Sequence, residues 1–127
     1  MFKRLVYIFI FGFFGSLLRL WLTTIFAQQH FVTVMAINVS GSFLLALVTG
    51  ALPFIVPVSD ELLSGLSVGL IGSFTTFSTF CVDTVNLATQ QGFLLAASYW
   101  AGSLFFGILA AVWGVALSHR AQQRRLP

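Results

Sequence analysis

Gly72-Ser73-Phe74-Thr75-Thr76-Phe77-Ser78-Thr79-Phe80 lies in the middle of a long apolar run and reads unlike its surroundings. Hydroxyl groups at Ser73, Thr75, Thr76, Ser78 and Thr79 alternate with phenylalanine, and a glycine opens the stretch. A hydroxyl facing hydrocarbon costs free energy, and β-branched Thr75 and Thr76 beside Gly72 weaken a helix, so the segment predicts a break. Broken backbone at membrane depth is tolerated only inside protein or along a wet cavity. Freed carbonyls suit a small cation, whereas hydroxyls, amides and aromatic edges suit a small anion. The competing reading is that the hydroxyls bond back to the carbonyl four residues earlier and the helix merely bends.

The rest of the chain supports a membrane setting. Of 127 residues, 58% are hydrophobic and 7% charged, and the mean hydropathy is +1.00, which is the composition of an integral membrane protein. The net charge of +3 comes mainly from Lys3 and Arg4 before the first apolar run and Arg120, Arg124 and Arg125 after the last. Bracketing apolar segments is the habit of topology signals, so nucleic acid is not an expected partner. The single Cys81 excludes an intrachain disulfide and reads as a small buried hydrophobe. His30 and His119 lie in connections at opposite ends of the chain and cannot be assembled with an acid or cysteine cluster into a metal site. With no Ser-His-acid set, phosphate loop or carboxylate pair, the expectation is that the protein is not an enzyme.

Four runs are long enough to cross a bilayer, so the expected fold is an all-α integral membrane protein of four transmembrane helices. A single domain over 1–127 holds helices at about 4–27, 32–54, 60–90 and 93–118, the third broken near Gly72–Thr76. The first run is a helix and not a signal peptide, because Arg19 interrupts it and further spans follow. In it, Gly12, Gly15 and Ser16 let another backbone approach. Arg19 reads either as an interfacial anchor or helix partner, or as a charge that concentrates anions at a pore mouth.

In the second run Asn38 is either interhelical glue or a donor to an anion, and Pro53 and Pro57 are expected to close the helix. Ser59 with Asp60 and Glu61 predicts an N-cap for the third helix, whose Gly65 and Gly69 have the spacing of close helix packing. Beyond the break, Asp83 is the one acid within an apolar span, a functional group with Arg19 or another helix's polar groups as partner, or a residue near the water interface. Tyr99 and Ser103 share a face of the fourth helix and extend a hydroxyl track, unless Tyr99 belongs to an aromatic belt beside Trp100.

Four spans bring both termini and the loop between the second and third helices to one side. That side collects the flanking basic residues, while the other two loops contain no Lys or Arg. Both termini are therefore expected in the cytoplasm and the chain in the cell membrane. A chain this small does not enclose a pore alone, so an oligomer is expected.

The residues resemble the Fluc (CrcB) family of fluoride-specific ion channels over nearly the whole chain. The matching positions are Gly12-x-x-Gly15-Ser16-x-x-Arg19, Asn38-x-x-Gly41, Gly72-x-x-Thr75-x-Phe77-Ser78-Thr79-Phe80 and Tyr99-x-x-x-Ser103. The resemblance implies an antiparallel dimer of the dual-topology type, two narrow fluoride pores and a structural sodium ion, not transported, held by main-chain carbonyls of Gly72 and Thr75. It implies that Phe77 and Phe80 present ring edges to fluoride and that Asn38, Ser78, Thr79, Tyr99 and Ser103 supply donors. Arg19 would then sit at a vestibule, and Asp83 would take the place of an acid usual just after the aromatic residues. Passive export of fluoride, which relieves its toxicity, would follow from the gradient and the membrane potential.

Two features depart from that pattern. Gly107 stands where similar proteins often carry a further hydroxyl, and the one-sided basic residues suit a subunit of fixed orientation paired with an opposite-facing paralogue better than a homodimer. Two other classes compete. A small multidrug and proton antiporter is also four-helical, but it needs a carboxylate in the first helix, where Leu5 to Ala27 offers only Arg19. A non-transporting assembly protein suits the glycine faces and leaves the Thr/Ser/Phe string unexplained.

Overall fold

The computed structural model describes residues 1–123. Arg124 and Arg125, counted above with the flanking basic residues, lie outside the described residues. The chain forms α1 (Phe2–Ile25), a 3-10 turn (Ala27–Gln29), α2 (His30–Ile55), α3 (60–74), α4 (Phe77–Gln90) and α5 (Phe93–Gln123). No strand occurs among the described residues. Taken with the short turn before α2, and with α3 and α4 as halves of one interrupted span, these make four segments long and apolar enough to cross a membrane.

Local chemistry accounts for most boundaries. Ser59 caps α3, its hydroxyl accepting the Leu62 N–H at 3.3 Å, with Asp60 and Glu61 in the first turn where the helix dipole favours acids. Gly92 turns the chain between α4 and α5 with φ of 106°, a conformation that L side chains avoid. The expectation that Pro53 and Pro57 close α2 holds only for the second. Pro53 lies inside the helix, which continues to Ile55, while Val56 before Pro57 is extended at φ −133° and ψ 139°. A proline this near a C-terminus removes one bond of a helix that is ending, whereas the residue before a proline is driven out of the helical region. At the other end of the chain, α5 runs five residues beyond Ser118 to Gln123. Gln122 fastens that last stretch to α2 by donating to the Gly50 carbonyl at 2.7 Å.

The helices pack in two layers, α1 on α3 and α2 on α5, with α4 leaning on α5. Small residues make these approaches possible. A Cβ on Gly15 would collide with the Leu70 carbonyl, and one on Gly69 would come within 2.6 Å of the Ile8 carbonyl. On the second pair, a Cβ on Gly114 would lie 2.7 Å from the Phe43 carbonyl. α3 is π-helical over Gly65–Ile71, a wider winding that one short α-helical stretch, Gly72–Phe74, separates from the break and that nothing in the residue pattern singles out. Phe9, Phe13, Leu20, Phe105, Ile108 and Trp113 are exposed around the outside, as suits a lipid-facing surface. The interrupted span has the largest buried share, 33% against 6% for the first, and at its break Thr76 is buried while Gly72 and Phe77 are exposed.

Candidate functional site at the break in the third span

The helix does not merely bend. Thr75 and Thr76 leave it altogether, at φ −74°, ψ 159° and φ −147°, ψ 120°. Two side chains replace the helical hydrogen bonds lost there. Asn38 on α2 donates through Nδ2 to the Thr76 carbonyl at 2.9 Å and accepts the Thr76 N–H through Oδ1 at 2.8 Å, so its amide mimics a peptide. Thr76 in turn caps α4: its Oγ1 accepts the Thr79 N–H at 3.2 Å and donates to the Thr79 hydroxyl at 2.9 Å. A Cβ on Gly41 would overlap the Thr75 methyl, so a glycine is what lets the break settle against α2.

These substitutions leave particular carbonyls over. In an unbroken helix the Gly72 carbonyl would accept the Thr76 N–H and the Thr75 carbonyl the Thr79 N–H. Both donors are taken, the first by Asn38 and the second by the Thr76 hydroxyl. Gly72 and Thr75 therefore carry main-chain oxygens without helical partners, Gly72 on the exposed side of the chain. The Thr75 hydroxyl bonds back to the Ile71 carbonyl at 3.0 Å and lies 3.4 Å from the Gly72 carbonyl.

Beside the break runs an open groove of about 470 Å³, lined by Asn38, Ser42, Gly72, Phe77, Phe80 and Ser103 among others. Phe80 is 6% exposed and Phe77 77%, with ring centroids 6.2 Å apart. Tyr99 packs on Phe80 at 5.4 Å and against Phe31 at 5.9 Å, within the helix bundle as well as beside Trp100. The hydroxyls of Tyr99 and Ser103 are buried with no partner, an unusual state for a polar group in a packed interior.

The remaining residues singled out from the sequence lie elsewhere. Ser78 is exposed and, like Thr79 and Tyr99, does not line the groove, and the Thr79 hydroxyl is engaged by Thr76. Arg19 forms no ion pair among the described residues, so the pairing of Arg19 with Asp83 entertained above does not occur. Asp83 is buried, its side chain 5% exposed, and its Oδ1 sits 3.1 Å from Nε2 of His30 while Oδ2 has no partner. His30 meets this acid although 53 residues separate the two, and only the packing of the start of α2 beside α4 joins them. No metal-binding cluster of His, Cys, Asp and Glu forms among the described residues. Cys81, expected to be buried, is exposed on the outer face of α4.

The architecture is that of a multi-pass membrane protein whose third span is opened at its centre and rebuilt by side chains of its neighbours. Over residues 6–115 the chain matches the family described as CrcB-like protein, Camphor Resistance (CrcB), and it belongs to that family. Among similar proteins, Fluoride-specific ion channel FluC 2 of Lactiplantibacillus plantarum is 42% identical over 81% of this chain and 76% of its own length. Fluoride-specific ion channel FluC 2 of Listeria monocytogenes is 35% identical over 94% of this chain and 93% of its own. Fluoride-specific ion channel FluC of Pseudomonas fluorescens is 32% identical over 93% and 98%. Those names describe ion channels, and the protein is not an enzyme.

Proposed function

We propose that the chain is a fluoride-specific ion channel that lets cytoplasmic fluoride leave passively and so limits its toxicity. The observation that carries this reading is the break at Thr75 and Thr76, which sets carbonyls without helical partners beside a groove walled by Phe80, Phe77, Asn38 and Ser103. Fluoride is small and strongly hydrated, so a pore must replace its water with O–H and N–H donors and positively polarised ring edges without holding it too tightly. Phe80 and Phe77 would supply the edges and Asn38 and Ser103 donors within the groove; Ser78, Thr79 and Tyr99, which do not line it, would supply donors where a second subunit extends the route, and Arg19 a vestibule charge.

The Gly72 and Thr75 carbonyls fit a structural sodium ion, because both oxygens lack helical partners and belong to one short turn. A cation there supplies fixed positive charge that offsets the cost of bringing an anion into low dielectric. Two oxygens leave most of a hard cation's shell unfilled, and the exposed Phe77 leaves one wall of the groove open. Both points favour a second subunit, antiparallel, completing the site and the two pores. The one-sided basic residues favour an opposite-facing paralogue as that subunit and favour both termini in the cytoplasm.

Fluoride efflux from liposomes tests the reading. Liposomes carrying the wild type are expected to release fluoride, and Phe80→Ile is expected to slow release at least tenfold with the assembly intact. Absence of fluoride flux from the wild type, alone and with a paralogue, would sink it. A conducting assembly of the chain purified alone would remove the paralogue from the proposal.

A further inference from the structure

The groove has a stretch for which no donor has been named, beyond Ser103. There the α5 wall presents Gly107 and Ala111, neither with a polar side chain, one and two turns past Ser103. The hydroxyls of Thr75 and Thr76, which also line the groove, are turned to the Ile71 carbonyl and to Thr79. What faces Gly107 is Ser42 of α2: a Cβ built on Gly107 would lie 3.8 Å from the Ser42 Oγ and meet nothing else within 4 Å.

We propose that the Ser42 hydroxyl is an anion-coordinating donor of the conduction route at the level of Gly107, reaching across from α2 to a place where α5 has no side chain. This rests on the reading of the protein as a fluoride channel and adds a residue to it. At rest Ser42 donates to the Asn38 carbonyl at 2.9 Å. That carbonyl is also within reach of the Ser42 N–H in the ordinary helical bond, so the hydroxyl can rotate away without leaving an acceptor unpaired. A hydrogen bond to a charged group is worth roughly twice a neutral one, so a small anion in the groove draws the hydroxyl's hydrogen bond away from the backbone. The absence of a Cβ at Gly107 is what leaves Ser42 room to be reached.

Fluoride efflux is measured for Ser42→Ala, Gly107→Ser and the double variant, each in the subunit composition in which the wild type conducts and after size-exclusion chromatography confirms the assembly. Loss of one charged hydrogen bond, about 1.5–3 kcal/mol, corresponds to a slowing of about tenfold or more in Ser42→Ala. Gly107→Ser, which returns a hydroxyl to the same level from the other wall, is expected to bring the double variant back to within about threefold of wild type. An unchanged rate in Ser42→Ala overturns the proposal. So does a slow Ser42→Ala that Gly107→Ser does not rescue, which would mark Ser42 as a packing residue. A wild type that conducts no fluoride overturns the channel reading itself and the proposal with it.

Discussion

Asn38 stabilises the break by behaving as a piece of backbone, and its substitution separates that job from any contact with an ion. Asn38→Ala leaves both the N–H and the carbonyl of buried Thr76 without their partner, which costs roughly 2–6 kcal/mol at about 1–3 kcal/mol per orphaned group. The expected outcome is a clearly lowered unfolding temperature in detergent. Asn38→Asp keeps the acceptor, loses the donor and is expected to fall between. The pair of His30 and Asp83 yields to a different measurement. A carboxylate within a membrane span is expensive unless partnered, and here one oxygen depends on His30. His30→Ala and Asp83→Asn should each lower stability, and the double variant should lose clearly less than the two losses added, since the second change removes the charge the first left stranded. Strictly additive losses would show that the 3.1 Å contact carries no coupling.

Among the elements, the tight seam is α1 against α3, and its glycines are unequal in a way that can be measured. A Cβ on Gly15 would strike main chain at Leu70, whereas one on Gly102 of α5 meets nothing within 4 Å. Main chain cannot step aside as a long side chain can, so Gly15→Ala should separate the helices and cost about 1–3 kcal/mol. Gly102→Ala should be neutral or stabilising by up to about 1 kcal/mol, since alanine is the better helix former; thermal unfolding in detergent compares the two. This seam was legible in the residues, because close helix approach demands small side chains and Gly12, Gly15, Gly65 and Gly69 show them openly. The break was legible too, from the density of hydroxyls around Thr75 and Thr76. What rebuilds the break was not. Asn38 to Thr76 and His30 to Asp83 depend on which faces of nearly uniform apolar helices meet, and where most positions are apolar, periodicity marks no unique face. The π-helical turn and the continuation through Pro53 were hidden for a related reason: each is a local compromise with packing and not a preference of its own residues.

At the scale of the whole molecule the question is what closes the groove and fills the oxygens left by the break. The Gly72 and Thr75 carbonyls, left without helical partners, belong to a segment that one subunit holds from behind, through Asn38, and leaves open in front. If two such segments meet around a sodium ion, the ion binds the assembled pair and has little affinity for separated subunits, so mass action ties assembly to sodium concentration. Ligand at a hundredfold its dissociation constant stabilises the state that binds it by about 2.7 kcal/mol. Replacing sodium by a bulky organic cation at constant ionic strength should therefore raise the rate at which labelled subunits exchange between assemblies in detergent, and restoring sodium should reverse the change. Potassium, larger at the same charge, should restore less. The effect should vanish in Asn38→Ala, which removes the side chain that holds the broken backbone in place, while Phe80→Ile, altered only at the groove, should keep it. An exchange rate indifferent to the cation would remove sodium from the proposal and leave the two carbonyls needing some other donor.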